Sequence, residues 1–181
     1  MRQTKAMHPI LFLALDYTDV RVQHFDHGES ERQEYFIDGA KMFGPTWKLK
    51  YELHYWNTDV TGSSESDFSS LHLKMLHFID RKRGDSPYRL ALGLEWIKDL
   101  GDTDKGIGSG ADQLAPLVGI ALNLGNTTVI PLLQHFASYS GDDVSLTATR
   151  LIALKHLPGK RWAKLDLKVP YDWKIKPCLL Q

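Results

Sequence analysis

Between Trp47 and Tyr55, apolar and polar side chains alternate without a break. Trp47, Leu49, Tyr51, Leu53 and Tyr55 share one parity; Lys48, Lys50, Glu52 and His54 share the other. Successive side chains of a strand point to opposite faces. The run therefore predicts a strand with one greasy face and one charged face. Strand 87–97 repeats the pattern, with Tyr88, Leu90, Leu92, Leu94 and Trp96 against Arg89, Ala91, Gly93 and Glu95. So does strand 161–172, with Ala163, Leu165, Leu167, Val169 and Tyr171 against Lys164, Asp166 and Lys168. Each run is about ten residues long, the length a tilted strand needs to cross a bilayer. A one-residue slip would exchange the faces, and a lysine near a bilayer midplane costs about 2–4 kcal/mol.

Period and turn residues predict nine strands, at 16–25, 34–42, 46–56, 68–79, 87–97, 113–124, 127–138, 144–156 and 161–172. No long segment carries a capped helical period. Phe43–Thr46, Leu124–Thr127 and Leu157–Lys160 read as tight turns, and Asp80–Ser86 as a slightly longer charged one. Asp26–Gln33, Asn57–Asp67, Lys98–Asp112 and Ser138–Asp143 read as longer polar loops. Long and short connections thus alternate, as in up-and-down outer-membrane barrels. Trp47 and Trp56, Tyr88 and Trp96, and Trp162 and Trp173 stand near strand ends, where aromatic girdles meet the water–lipid boundary. Two strands are less clean. In 127–138 both faces are apolar, and in 144–156 Arg150 shares a parity with Val144, Leu146, Ile152 and Leu154. A bulge near Arg150 would repair that register; packing of the two strands against a plug or a folded-in terminus is the alternative.

The 181 residues suit one domain, a β-barrel over 16–173 between a poorly defined segment 1–15 and a tail 174–181. No stretch approaches the roughly 18 apolar residues of a membrane-spanning helix. A barrel escapes that test, because half of each strand faces a polar lumen. Lys plus Arg equals Asp plus Glu, 22 each, which leaves no basic footprint for nucleic acid. The single cysteine, Cys178, excludes a disulfide framework within the chain. The basic start and the apolar Ile10–Leu15 form only a short imitation of a secretion signal.

The lumen-lining, solute-binding candidates are Lys48, Lys50, Glu52, His54, Arg89, Glu95, Lys164, Asp166 and Lys168. Being mixed in sign, they can pair across strands and fill a narrow lumen, or line a conduit with a weak anion preference. Asp102–Gly106 imitates part of a calcium loop without its closing glutamate, and Gly106–Gly110 lacks the lysine and the helix of a phosphate loop. His54, His72, His77, His135 and His156 are scattered, without metal-site spacing. No local signature marks a nucleophile. Neither enzymatic activity nor a cofactor or metal is expected.

Lys105–Pro116, Ile130–Phe136 with Ser138–Gly141, Arg150–Ala153 with Leu157–Gly159, and then Trp162, Lys164–Asp166, Lys168–Pro170 and Asp172–Trp173 resemble motifs of bacterial outer-membrane proteins. These are the MetA-pathway phenol-degradation, or neuromedin U-like, transporters. The resemblance covers about residues 35–173. It implies an antiparallel up-and-down transmembrane β-barrel in the Gram-negative outer membrane that contacts lipid and passes small hydrophobic or aromatic solutes. Members of that family carry a cleavable signal and continue beyond the Asp-Trp motif. Nine strands is an odd count where bacterial barrels are even, so a truncated member is expected. Alternation alone leaves two other readings open. One is a soluble lipocalin-like ligand carrier with its apolar face inward; the other is a structural surface protein with a filled lumen.

Overall fold

The computed structural model describes residues 16–26, 30–83, 86–158 and 161–174. The N-terminal segment 1–15 and the tail from residue 175 lie outside the described residues. Nine antiparallel strands follow in chain order: β1 (Tyr17–Asp26), β2 (Glu31–Phe43), β3 (Trp47–Thr58), β4 (Glu65–Arg83), β5 (Ser86–Asp99), β6 (Ala111–Leu124), β7 (Thr127–Gly141), β8 (Ser145–Leu157) and β9 (Arg161–Asp172). Each pairs with its neighbours in sequence to form one sheet, curled into a half-barrel with no α-helix among the described residues. All nine predicted strands are present. The fold is an up-and-down, incomplete β-barrel with edges at β1 and β9.

Several strands run past their predicted ends. The charged stretch at Asp80 is strand, not turn: Asp80 stands opposite Arg89, which donates to it at 2.6 and 2.9 Å. The predicted loop Ser138–Asp143 is largely strand too, since β7 continues to Gly141. The difference between the two ends of the sheet therefore rests on the connections 59–64 and 100–110, the second holding a single 3-10 turn at Thr103–Lys105. At the other end, Asp16 accepts from Lys41 Nζ at 2.5 Å and from the Met42 amide at 2.7 Å. The Lys41 hydrogen bond holds its carboxyl below the usual range and ties the start of β1 to the end of β2.

The two parities part cleanly. On the convex side, Leu92 is 44% exposed and Leu165 53%; on the concave side, Lys48 is 0% and Lys50 8%. Toward the short turns the concave side is nonetheless apolar. Leu76, Phe78, Leu117, Ile130, Leu132 and Ile152 pack there as a buried cluster with Met42 against it. This cluster explains the two irregular strands. Ile130 and Leu132 face it while Val129 and Leu133 face outward, so β7 is apolar on both sides. No bulge occurs at Arg150: pairing runs unbroken from Leu146 to Leu154 on both flanks of β8. Arg150 faces inward with Ile152 and Leu154, because Asp166 of β9 accepts from it there at 2.7 and 2.6 Å.

Burial sets the cost of truncation. Leu76→Ala should cost about 2–5 kcal/mol in denaturant unfolding, while the exposed Leu92→Ala should cost far less. Equal losses would contradict the assignment of the two faces.

Candidate functional site

Every lumen candidate named from the sequence lies on the concave parity, and neighbouring strands bring most of them into ion pairs. Lys50 reaches Glu52 at 2.8 Å and Asp38 at 3.8 Å. Asp38 also accepts from Arg21 at 2.9 Å and Tyr17 at 3.1 Å. His54 contacts Glu34 at 2.7 Å and Glu52 at 3.5 Å. Glu95 is bound by Lys74 at 2.8 Å, His72 at 3.0 Å and the Gln134 amide at 2.5 Å. Lys164 and Arg150 both reach Asp166 at 2.6 Å. Arg89 pairs with Asp80 and lies 5.0 Å over the Phe78 ring. Lys48 sits 5.6 Å over the Tyr17 ring. Lys168 stands opposite Arg150 on the outer strand β9 and remains exposed.

Buried ions are stable only when paired and hydrogen-bonded, and register supplies the partners. Lys74 stands directly opposite Glu95, and Arg150 opposite Lys168 with Asp166 two residues away. The pairing reading of the inward charges therefore describes the wall better than a row of free cations.

Several members of this network escaped the sequence reading. Asp38 and Glu34 were missed because β2 alternates poorly, with Gly39 among its outward positions. The signal for Ser70, His72 and Lys74 was present, since they alternate with Leu71, Leu73 and Met75. Trp56 is a correction. It belongs to the concave parity, donates to Glu34 at 3.0 Å and carries Arg32 at 4.2 Å over its ring. It is no member of an outer girdle.

At the mouth beside the longer loops, Trp56 joins Ser69, Ser70, His72, Gln113 and Phe136 around a cavity of about 240 Å³. A register shift at His54/Tyr55 bends β4 here and leaves Ser69 as the extra residue; bulges re-aim side chains in this way. Loop 100–110 closes one wall. Asp99 accepts from the amides of Ser109 at 3.1 Å and Gly110 at 2.7 Å. Gly108 has φ +87°, and a Cβ there would meet Asp99 Oδ1 at 2.5 Å. Only glycine fits that position.

No protein-family model and no curated protein matches the chain.

Asp38 is 1% exposed. Asp38→Ala should cost about 1.5–3 kcal/mol, because it removes the buried acceptor of half-buried Arg21 and of Tyr17 and leaves Lys50 to Glu52 alone. Asp80→Ala removes a solvent-exposed partner and should cost about 0.2–1 kcal/mol. Chemical unfolding of the two variants reads the difference.

Proposed function

We propose that the chain forms the wall of an outer-membrane transport barrel for small, hydrophobic or aromatic solutes, in the manner of the family it resembles. The carrying observation is the convex face. Among the described residues, Asp, Glu, Lys and Arg on that parity stand close to strand ends, as Lys41, Arg81, Lys98 and Lys155 do. The strand centres present Ile37, Leu92, Leu94, Val118, Leu133, Leu165 and Leu167, all exposed. Monomeric soluble proteins rarely expose a contiguous apolar patch of this extent, which supports a lipid-facing surface.

Aromatic side chains border it at both ends. Tyr35, Tyr55 and Phe68 form a contiguous group, with ring centroids 6.4 and 5.4 Å apart. Trp96 donates to Tyr139 at 2.7 Å, and Trp173 packs on Tyr171 at 4.6 Å. These lie toward the longer loops. Trp47, tilted against His77 with ring centroids 4.5 Å apart, and Tyr88 lie toward the short turns. Tyr88 and Trp96 are about 26 Å apart along β5 at the usual strand rise, or about 20 Å along the membrane normal at a barrel's tilt, within the apolar band about 25 Å tall of outer-membrane barrels. A lipocalin-type carrier would turn Leu92 and Leu165 inward, opposite to their exposure.

Expressed behind a bacterial secretion leader in a Gram-negative host, the chain should fractionate with the outer membrane and need detergent for extraction. Leu92→Lys, near the centre of the apolar band, should cost about 2–4 kcal/mol and deplete the membrane fraction. A folded chain that remains monomeric and soluble without detergent defeats the proposal.

A further inference from the structure

The mouth cavity holds an arrangement that the transport reading does not use. Ser70 and His72 share the concave parity of β4, and Glu95 arrives beside them through the β4–β5 register. Ser70 Oγ lies 3.1 Å from His72 Nε2, and His72 Nδ1 lies 3.0 Å from Glu95 Oε1. The two ring nitrogens are thus engaged in the order that a hydroxyl–imidazole–carboxylate relay requires. Nδ1–H donates to the carboxylate, and the Nε2 lone pair is left to accept the serine proton. Glu95 is 4% exposed, and its other oxygen is locked by Lys74 at 2.8 Å and Gln134 at 2.5 Å. Those contacts fix the carboxylate that orients the imidazole.

Two further features separate this group from an ordinary wall contact. Ser70 opens onto the cavity, whose other walls include the apolar faces of Trp56, Ile97 and Phe136. Beside it, the Ser69 hydroxyl lines the same cavity, is buried, and has no hydrogen-bond partner among the described residues. A buried, unused donor beside a nucleophile is what a developing oxyanion needs, and the Gln113 amide lines the same wall.

We propose that Ser70, His72 and Glu95 form an esterase site for short-chain acyl esters. Ser70 Oγ attacks the ester carbonyl carbon as its proton passes to His72 Nε2. The carbonyl π pair moves onto oxygen, facing Ser69 and Gln113. Collapse breaks the acyl C–O bond, and the departing alcohol takes the proton from His72. Water then adds to the acyl-serine, giving its proton to His72 Nε2. The Ser70–acyl bond breaks, Ser70 recovers the proton, and the carboxylic acid leaves. The sum is ester plus water to acid plus alcohol. Ser70 and His72 are the catalytic residues, and Glu95 is a positioning residue. The inference goes beyond the transport reading and does not rest on it.

The test uses the full chain in detergent, with p-nitrophenyl butyrate as substrate and a fluorophosphonate as covalent probe. Hydrolysis above buffer is expected, with one adduct that peptide mass spectrometry maps to Ser70. Ser70→Ala should abolish both. His72→Ala should lower kcat by about 10²–10⁴-fold. Glu95→Gln should lower kcat per site titrated by the fluorophosphonate while leaving KM in place, whereas general destabilisation lowers the number of titratable sites and not the rate at each. Folded wild-type chain that neither hydrolyses the ester nor takes up the probe overturns the site. An adduct confined to Ser69, or full activity in Ser70→Ala, does so as well. Because the wild-type labelling decides, misfolding of a variant cannot protect the proposal. A chain that inserts into membranes without labelling sinks the esterase alone; one that labels but stays soluble without detergent sinks transport alone.

Discussion

A buried ammonium or carboxylate cannot stand alone, and the curled sheet is organised around that constraint. Lys50, Asp38, Glu95 and Lys48 are all withdrawn from solvent. Each of the first three is held by at least two polar neighbours drawn from its own or adjacent strands. Pairing across a sheet depends on register, so these contacts and the backbone ladder specify the same alignment. A slip of β4 by one residue would part Lys74 from Glu95 and, in the same motion, carry Leu73 from the convex to the concave face.

The concave surface is divided along its length. Near the short turns it is filled by Leu76, Phe78, Ile130 and their neighbours. Toward the longer loops it becomes a network of ions and hydrogen bonds, and it ends in a cavity roofed partly by loop 100–110. The wall thus offers polar groups toward the longer loops and hydrocarbon toward the short turns.

The alternation made the strands and their faces legible, because a half-buried strand has to write its environment with period two. Trp47–Tyr55 and Leu90–Leu94 were transparent for that reason. β7 and β8 were not. Their inward side chains meet other apolar side chains rather than water or ions, so Ile130 and Ile152 leave no contrast to read. Arg150 looked misplaced only because its partner, Asp166, lies on another strand. The mouth cavity was harder still. Ser70 and His72 are two residues apart and share a face, which the sequence does say, but Glu95 joins them through pairing twenty-odd positions downstream. The bulge that bends the chain at Ser69 follows from a mismatch between β3 and β4, and neither strand reveals it alone.

Direction along the edges carries a last consequence. In a meander of nine strands, the first and the last point the same way. β1 and β9 can therefore meet each other only as a parallel pair, whose slanted hydrogen bonds are slightly weaker per residue. If the wall is instead joined throughout by antiparallel ladders, whatever spans the gap must contribute an odd number of strands, and the finished circumference is then even.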